Sequence, residues 1–496
     1  MMGPVSPSAP TPEKLLDVAR QRAVDNGSEF TDEHAAAMLA IFCKGRNVLI
    51  TGGAGTGKTA VVRDHIIAEF ERRGYHYGVC ATTGIAGSHL SGRTIHSYIG
   101  MGLGPRWAPG MPPQDMSEDE LEEHYTIFSD QLFSRGAGKP RFQGVLKRLR
   151  AITHLILDEV SMMPGNALLG FVDHWLKRVR KSEEPFGGMK MIFVGDFCQL
   201  PPVCAKGSRV DWAFMSWAWQ NAAVLPIELT KIFRQSDRHF VDLLNRTRMA
   251  EPFTDEDIEF LRSRVLPEGD LMRTMLCSTN REVDKRNENA IKSIPGEATE
   301  IPAIYRIEPH HLGPYDSVED IRENLMRNKP LRDPLMLKVG LPVLITVNGP
   351  EGAEVPYFNG SRARVLSIPQ GENGMLYLEL EAGGRLSLAR QTFTRNSDEH
   401  AEDKINVAGK MVAQFPLLTH FPVMPASAIS VHRSQGLSLD ECLIDLSRSF
   451  APGQVYVALS RLRTPAGLWL VSDSFKVEAD KYAVRFYQLV RKGFYK

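Results

Sequence analysis

The chain has 496 residues, of which 43% are apolar, 24% are charged and 8% are aromatic. The length suggests about three domains, and the composition excludes a collagen, a coiled-coil rod and a largely disordered chain. The 59 basic residues balance 59 acidic ones. This balance excludes a protein that binds nucleic acid through a large net positive charge, although it allows a local basic groove that binds nucleic acid.

The six cysteines form no CxxC pair and no Cys/His cluster at zinc spacing, which fits a reduced, intracellular compartment. The longest apolar stretches fall short of the roughly 18 residues that a membrane helix needs. The N-terminus has neither the basic nor the apolar segment of an export signal. We therefore expect a soluble, unexported protein.

The first 45 residues predict a disordered start followed by two helices. Residues 1–10 are rich in Pro, Ser and Ala, and Thr11 then offers an N-cap for a helix that runs to about Asn26. A second helix restarts near Thr31 and runs through AAAMLAIFCK, with Gly45 placed as its C-terminal cap.

Residues 46–225 predict an α/β domain of the nucleotide-binding type. A β-branched run, NVLIT, leads into a glycine loop, a helix AVVRDHIIAEFERR and a second strand around YGVCAT, which is a βαβ rhythm. Two further apolar runs, at 154–159 and 189–196, each end in acidic residues. Buried parallel strands deliver such side chains to the carboxyl edge of a sheet.

Two inserts interrupt the α/β pattern. Residues 102–144 are rich in Pro, Gly and charge, and Ser117 with Glu120 predicts a capping box at the start of a short acidic helix. In the second predicted domain, residues 226–496, a region at about 341–421 alternates β-rich runs with glycine turns. This alternation predicts a small β-barrel.

The strongest chemical signal is GGAGTGKT, which lies between a predicted strand and a predicted helix, as a phosphate-binding loop requires. Its backbone N–H groups can surround a β-phosphate, Lys58 can reach the β- and γ-oxygens, and the Thr59 hydroxyl can bind Mg²⁺. The predicted nucleotide-binding residues of this loop are Gly52, Gly53, Ala54, Gly55, Thr56, Gly57, Lys58 and Thr59.

Two carboxylates and an amide follow the later strands. Asp158 and Glu159 end one strand, where one carboxylate can hold Mg²⁺ while the other orients or deprotonates the attacking water. Gln199 follows another strand, where a neutral side chain can sense the γ-phosphate. A lone Asp-Glu pair is more often a solvated strand end, but the preceding phosphate loop favours the catalytic interpretation.

Further short motifs occur in a fixed order between residues 30 and 472. They are GIAG at 84–87, TIHS at 94–97, DEVSM at 158–162, PFGG at 185–188, IFRQ at 232–235, FNG at 358–360, SVHRSQG at 430–436 and QVYVALSR at 454–461. Together they resemble superfamily-one DNA helicases of the petite-integration-frequency (Pif-one) group, which are related to RecD-type enzymes. The resemblance implies two RecA-like parallel-sheet domains with ATP between them and single-stranded DNA across their top. It also implies a wedge insert in the first domain and a Src-homology-three-like barrel in the second.

The resemblance assigns further site residues. Arg234 and Arg461 match the arginines that the second domain directs at the γ-phosphate, an arrangement that makes hydrolysis depend on closure. Gln435 and Gly436 match nucleotide-binding positions. The positions that match strand-contacting motifs are Thr82, Thr83, His96, Phe197, Ser430 and His432. We expect about half of these six to touch DNA, through phosphate contacts or base stacking.

The sequence departs from the family pattern at three places. His34 stands where an adenine-reading glutamine is usual, Arg433 stands where lysine is commoner, and the insert at 102–144 is long. A glutamine amide can bond to N7 and to the exocyclic amine of adenine at once, whereas at most one imidazole nitrogen reaches the base. We therefore expect weaker discrimination between ATP and GTP. The alternative is that His34 is an ordinary first-turn residue of the helix capped by Thr31.

The leading hypothesis is a motor that uses ATP and Mg²⁺, moves 5′ to 3′ on single-stranded DNA and separates the duplex ahead of it. The polarity comes from the resemblance. We expect it to act as a monomer on single-stranded and tailed duplex DNA, with no membrane partner. The alternative is an ATP switch that gates DNA affinity in a larger complex without unwinding, in which case the insert is a docking surface.

Overall fold

The computed structural model describes residues 11–82, 93–101, 107, 112–204, 208–235, 237–266, 273–312, 317–326, 331–350, 353–394, 402, 404–407, 410–435, 437–446, 451–472 and 474–495. The chain forms two compact units. The first comprises Met1–Gln235 together with Ala479–Lys496, and the second comprises Ser236–Glu478. In chain order, the second unit is therefore inserted into the first.

The first unit contains a six-stranded sheet whose pairings are parallel. Its strands are β1 (Val48–Gly52), β2 (Tyr77–Ala81), β3 (Arg93–Thr94), β4 (His154–Asp158), β5 (Lys190–Val194) and β6 (Leu225–Leu229). The strand order is β3-β2-β4-β5-β1-β6. Strands β1 and β4 are buried along their whole length, as apolar runs in a covered parallel sheet are. The parallel order brings the carboxyl ends of β1, β4 and β5 to one edge, as the sequence predicts.

Helices accompany this sheet throughout the described part of the unit. They are α1 (Pro12–Asp25), α2 (Asp32–Phe42), α3 (Lys58–Ala60), which continues through a π-helical segment (Val61–Ile67) into α4 (Ala68–Arg73), α5 (Ile95–Tyr98), α6 (Glu118–Gly136), α7 (Pro140–Ala151), α8 (Gly170–Arg180), α9 (Trp217–Asn221) and a C-terminal helix (Lys481–Arg491). No helix of the described ranges is long and apolar enough to cross a membrane.

The two N-terminal helices are confirmed, but they do not form a separate domain. Thr11 occupies the N-cap of α1, and the Thr31 side chain caps α2. Leu15 and Met38 are fully buried in the same core as the strand residue Ile50. The predicted division at residue 45 therefore cuts through one hydrophobic core, and the structure has two units instead of three.

The predicted domain boundary after residue 225 is also corrected. Strand β6 pairs with β1 from Val48 opposite Leu225 to Gly52 opposite Leu229, so the first unit extends to Gln235. The C-terminal helix returns to this unit. Pairing between strands that are distant in the chain leaves no local pattern in the sequence, and for this reason periodicity did not place the boundary.

Within the predicted insert, residue 107 and residues 112–144 are described. Ser117 and Glu120 form the predicted capping box, in which the Glu120 carboxylate accepts from the Ser117 N–H at 2.8 Å. The helix that follows, α6, is longer than expected at 19 residues. Its Tyr125 is buried, and the ring lies edge-on to Phe171 of α8 with centroids 6.1 Å apart. The wedge function of this region remains a prediction.

The second unit combines parallel and antiparallel sheets. Its strands are β7 (Met275–Cys277), β8 (Thr299–Ile301), β9 (Ile304–Arg306), β10 (Leu335–Leu337), β11 (Pro342–Ile345), β12 (Arg362–Ser367), β13 (Leu376–Leu380), β14 (Arg385–Leu388), β15 (Gln391–Phe393), β16 (Lys404–Val407), β17 (Lys410–Ala413), β18 (Leu417–His420), β19 (Val423–Pro425), β20 (Ala428–Ser430), β21 (Cys442–Ile444) and β22 (Leu468–Leu470). Its helices are α10 (Arg238–Met249), α11 (Asp255–Ser263), α12 (Asn280–Ser293), α13 (Val318–Met326) and α14 (Gln454–Leu459).

Strands β20-β7-β21-β22 form a parallel sheet, which agrees with a second α/β domain. Strands β14-β13-β12-β11-β19 form an antiparallel sheet in the region where the sequence predicts a small barrel. Its inward residues Val343, Ala363 and Leu378 are fully buried in one core cluster. Closure of this sheet into a barrel remains a prediction.

Candidate functional site

The phosphate loop follows β1 and ends at α3, in the strand–loop–helix context that the sequence predicts. Gly55 and Gly57 have φ values of 80° and 81°, a left-handed conformation that favours glycine. A Cβ atom on Gly55 would lie 2.6 Å from the Cβ of Arg234, so this loop also needs glycine for close approach of another segment. The loop therefore keeps its backbone free of side chains where phosphate oxygens would bind.

Lys58 lies across its own loop. Its Nζ donates to the carbonyl oxygens of Gly52 at 2.9 Å and Gly53 at 3.0 Å, and the Thr56 hydroxyl also donates to Gly53 O at 2.9 Å. Thr59, the next residue of α3, is half-buried. The ammonium group is thus held at the loop, where a nucleotide phosphate would offer it charged acceptors in place of neutral ones.

Glu159 has an unusual backbone at the end of β4. Its φ of 52° and ψ of 44° are left-handed, which is costly for a residue with a Cβ. Two hydrogen bonds hold it there: the Asp158 carboxylate accepts from the Glu159 N–H at 2.8 Å, and the Thr82 hydroxyl donates to the Glu159 carbonyl at 2.9 Å. The turn places the half-buried Glu159 side chain beside the buried Asp158.

Asp158 is a buried carboxylate whose pKa is shifted. Burial and the neighbouring Glu159 charge raise the pKa of Asp158, whereas the Lys58 ammonium and the bond from the Glu159 N–H act in the opposite direction. The Lys58 contribution places Asp158 within electrostatic range of the phosphate loop. A buried carboxylate at this position is a suitable ligand for a cation that restores its charged form.

Gln199 lies in the turn after β5. The turn is closed by bonds from the Gln199 N–H to the Asp196 carbonyl at 2.9 Å and from the Cys198 N–H to the Asp196 carboxylate at 3.1 Å. The Gln199 side chain is 7% exposed. The structure therefore places this amide on a short, fixed turn after β5, as the motif predicts.

Tyr487 of the C-terminal helix joins this turn to the phosphate loop. Its hydroxyl lies 2.5 Å from the Thr51 hydroxyl, one residue before Gly52, and accepts from the Phe197 N–H at 3.0 Å. The Tyr487 side chain is fully buried. The sequence reasoning missed this residue, because a tyrosine on the apolar face of an amphipathic helix carries no signal beyond core packing.

The segment 231–235 lies against the phosphate loop. The Phe233 N–H donates to the Gly55 carbonyl at 2.8 Å, and the Phe233 ring would lie 3.5 Å from a Cβ on Gly57. This ring is 48% exposed, and Lys231 Nζ lies 5.6 Å from its centroid. Arg234 was expected on the second domain, but the structure places it in the first unit, beside Gly55.

His34 does not have the predicted adenine-reading geometry. Its Nδ1 accepts from the Thr31 N–H at 3.3 Å and its own N–H donates to the Thr31 hydroxyl at 3.4 Å, which together form a capping box at the start of α2. The ring also bonds to the Glu29 backbone, and burial lowers the pKa of His34. This geometry favours the alternative of a first-turn residue, although the side chain is buried at 4% exposure instead of facing solvent.

Two predicted DNA contacts of the first unit are corrected. The Phe197 ring is 1% exposed and lies edge-on to the rings of Trp212, Phe214 and Phe486, so it has no free face for a base. The Thr82 N–H and hydroxyl donate to the Asp158 and Glu159 carbonyls, so neither is available to a phosphate. His96 is half-buried at α5, where burial lowers its pKa, and its DNA contact remains a prediction. Thr83 lies outside the described residues.

The remaining predicted residues lie in the second unit. Arg461 is 4% exposed, and its guanidinium donates to the Val457 carbonyl at 2.9 Å and to the Ser460 hydroxyl at 2.8 Å. Ser430 ends β20, and its hydroxyl accepts from the Arg433 N–H at 3.3 Å. His432 is half-buried, which lowers its pKa, and Gln435 is buried in the turn after β20. Gly436 lies outside the described residues.

This fold and site define a class of protein that binds nucleoside phosphates on a phosphate loop and carries an Asp-Glu pair at the end of a neighbouring parallel strand. The model of the family described as PIF1-like helicase matches residues 31–110 and 140–252. The chain is 31% identical, over 462 residues, to the ATP-dependent DNA helicase Pif1 of Bdellovibrio bacteriovorus, which covers 93% of this chain and 92% of the relative.

Two solved structures are also similar over most of the chain. Bacteroides sp Pif1 in complex with ADP-AlF4 has 26% sequence identity and a TM-score of 0.68, covering 94% of this chain and 98% of the other. Bacteroides Pif1 bound to single-stranded DNA has 27% identity, a TM-score of 0.58 and the same coverage. The chain belongs to the PIF1-like helicase family.

Proposed function

We propose that this chain is an ATP-dependent DNA helicase that moves 5′ to 3′ on single-stranded DNA and unwinds the duplex ahead of it. The observation that carries nucleotide hydrolysis is the left-handed Glu159, held by Asp158 and Thr82 at the edge where the phosphate loop also lies. Membership of the PIF1-like helicase family and the similar structures with ADP-AlF4 and single-stranded DNA support a motor that uses nucleotide and DNA.

Nucleotide binding rests on the loop and on Lys58. The ammonium group exchanges the carbonyl oxygens of Gly52 and Gly53 for β- and γ-phosphate oxygens, and the N–H groups at the start of α3 face the same charge. The hydroxyl of Thr59 and the carboxylate of Asp158 are oxygen donors of the type that Mg²⁺ takes. These two residues would hold Mg²⁺, which when bound neutralises charge on the phosphate oxygens.

Hydrolysis rests on Glu159, Gln199 and the arginines. The Glu159 carboxylate orients a water and takes its proton as the water oxygen bonds to the γ-phosphorus and the bond to the β-phosphate oxygen breaks. Gln199, fixed by its turn, senses the γ-phosphate. Arg234 belongs to the first unit and lies beside Gly55, and its guanidinium pairs with the γ-phosphate. Arg461 is the corresponding arginine of the second unit.

The exposed Phe233 ring is a better candidate than His34 for holding the base. It lies beside Gly57 with 48% of its surface exposed, and an aromatic face stacks on either purine. We therefore still expect weak selection between ATP and GTP, but for a different reason. A stacked ring makes no hydrogen bond to the edge of the base, where adenine and guanine differ.

The partners we propose are single-stranded DNA and tailed duplex DNA, bound by one copy of the chain. His96, Ser430 and His432 remain the predicted strand-contacting side chains, and the segment at 102–144 is the proposed wedge. Replacing that segment with a short Gly/Ser loop should abolish strand separation while ATP hydrolysis and single-strand binding persist. Unwinding at the parent rate would assign strand separation to another part of the chain.

The test compares duplexes that carry one 5′ tail or one 3′ tail, with ATP and Mg²⁺, in a gel assay. A helicase of the proposed polarity separates the 5′-tailed duplex, and Lys58→Ala, which removes the phosphate-binding charge, does not. DNA-stimulated ATP hydrolysis with no strand separation on either substrate would favour the ATP switch. Separation of the 3′-tailed duplex alone would overturn the polarity.

A further inference from the structure

The turn that leads into β12 presents an aromatic ring to solvent. Phe358 is 59% exposed, and no other described ring packs on it. Single exposed apolar residues are common on protein surfaces, so exposure alone assigns no function. Two further features suggest a function for Phe358: the hydrogen bonds that fix its turn and the residues that the turn contacts.

The backbone that carries this ring is fixed on both sides. The Phe358 N–H donates to the Ser361 hydroxyl at 2.9 Å, and the Ser361 N–H donates back to the Phe358 carbonyl at 2.9 Å. The Asn359 N–H donates to the Asn348 side chain at 2.9 Å, and the Gly360 N–H donates to the Ile345 carbonyl at 2.8 Å. Because the turn is already ordered, a ligand that stacks on Phe358 need not order the backbone first.

The turn contacts the end of the stretch 430–438, whose first residues include Ser430 and His432, the predicted strand-contacting residues of this unit. A Cβ on Gly360 would lie 3.4 Å from the Leu437 side chain and 3.6 Å from the Ser438 carbonyl. The same segment carries Arg433, whose Nη1 is buried and has no hydrogen-bond partner among the described residues. The turn that carries the exposed ring therefore contacts a stretch that includes one arginine. Aromatic rings together with basic side chains are the combination that single-strand binding sites use.

We propose that Phe358 is a base-stacking platform for single-stranded DNA, taking one base of the strand whose backbone runs along residues 430–435. The proposal rests on the proposed DNA-motor function and deepens it by naming a contact. Stacking on a ring is independent of base identity, because every base has a π-face. A motor that must pass over any sequence needs a contact of this kind.

The test measures the affinity of the full chain for a fluorescent oligothymidine by anisotropy, at several salt concentrations. Phe358→Ala should weaken binding about five- to hundredfold, the range given by base–aromatic stacking. Phe358→Trp should restore most of the affinity. The slope of affinity against salt should not change, because a ring releases no counterions. Tyr377→Ala is the matched control: Tyr377 lies on β13 of the same antiparallel sheet with 50% exposure, and its loss should leave the affinity unchanged.

Two outcomes overturn the proposal. One is parent-like affinity of Phe358→Ala. The other is an equal loss in Phe358→Trp, which would mean that the substitution disturbs the turn and not a stacked base. An oligonucleotide with abasic positions gives a second readout, since the parent should prefer thymidine over abasic sites and Phe358→Ala should lose part of that preference. If the parent chain itself binds no single-stranded DNA, the proposed motor function fails, and this result is distinct from a failure confined to Phe358.

Discussion

Tyr487→Phe is the sharpest test of how the hydrolysis site is supported, because it removes one oxygen atom and leaves the ring. The Tyr487 hydroxyl accepts from the Phe197 N–H at 3.0 Å and lies 2.5 Å from the Thr51 hydroxyl. Phe197 lies two residues before Gln199, and Thr51 lies one residue before Gly52. The substitution therefore cuts a connection between the γ-phosphate-sensing turn and the phosphate loop without opening a large cavity.

The magnitude follows from the groups left behind. The Phe197 N–H loses an acceptor in a site where the tyrosine is fully buried, and an unsatisfied buried donor costs about 1–3 kcal/mol. Either hydroxyl can be the donor in the contact between Thr51 and Tyr487, so we assign no separate cost to its loss. For a unit of this size, each kcal/mol lowers Tm by about 2–4 °C. The expected shift is therefore about 2–12 °C.

The expected kinetic effect is separate from stability. If the hydroxyl positions Gln199 relative to the phosphate loop, kcat for DNA-stimulated ATP hydrolysis should fall by about tenfold, since a misplacement of about 1 Å can cost up to a hundredfold. KM for ATP should change little, because Lys58 and the loop backbone are untouched. Tyr482→Phe is the control on the same helix: the Tyr482 side chain is half-buried, and its ring lies 5.1 Å from Lys481 Nζ.

A double-mutant cycle completes this test. Thr51→Val removes the facing hydroxyl, and its effect on Tm and kcat should be less than additive with that of Tyr487→Phe, because both changes cut the same contact. If Tyr487→Phe lowers Tm while kcat stays at the parent value well below the melting range, the hydroxyl is structural only and the positioning argument is refuted. An unchanged Tm would refute the hydrogen-bond argument as well.

Four further predictions concern single side chains. Glu159→Gln should retain nucleotide binding, measured with a fluorescent ATP analogue, but lose turnover, and loss of binding by the folded variant would contradict its role as the residue that acts on water. Arg461→Ala should bind ATP and single-stranded DNA yet hydrolyse about a thousandfold more slowly, and near-normal turnover would assign it a structural role. Thr82→Val should lower kcat several-fold, by roughly the 1 kcal/mol of one lost bond to the Glu159 carbonyl, whereas Thr82→Ser should keep it. His34→Gln should leave the ratio of kcat/KM for ATP and GTP unchanged, because the capping box accepts glutamine, and a rise in ATP preference would restore the adenine-reading role.

Much of the fold could be predicted because its signals are local. The strand–glycine loop–helix sequence around Lys58, the caps at Thr11 and Thr31 and the capping box of Ser117 each depend on a few adjacent residues, and each is present. The domain limits were missed because they depend on pairing between distant strands. No local pattern shows that Leu225–Leu229 lies beside Val48–Gly52, or that the last helix returns to the first unit.

The candidate site also contains some features that local sequence patterns predict and others that depend on contacts between distant residues. Motif spacing placed Lys58, Asp158, Glu159 and Gln199 at one sheet edge, because parallel strands end together. It could not reveal that a hydroxyl of Thr82 fixes the left-handed Glu159, since this contact depends on the pairing of β2 with β4. The surroundings of His34 and Phe197 differ from the expectation for one shared reason. Each side chain is of a type that can bind a ligand, but each is buried against other protein atoms, and this burial is not visible in the sequence.

The two places where the chain passes between the units are each followed or preceded by a residue that contacts the phosphate loop or the turn after β5. At the first crossing, the Phe233 N–H donates a hydrogen bond to the Gly55 carbonyl of the phosphate loop, two residues before the first unit ends at Gln235. At the second, Asp480 caps the C-terminal helix and accepts from the Trp212 indole N–H at 3.1 Å, and Tyr487 follows on that helix. The chain thus leaves the first unit next to the phosphate loop and re-enters it on the helix whose Tyr487 accepts from the turn after β5.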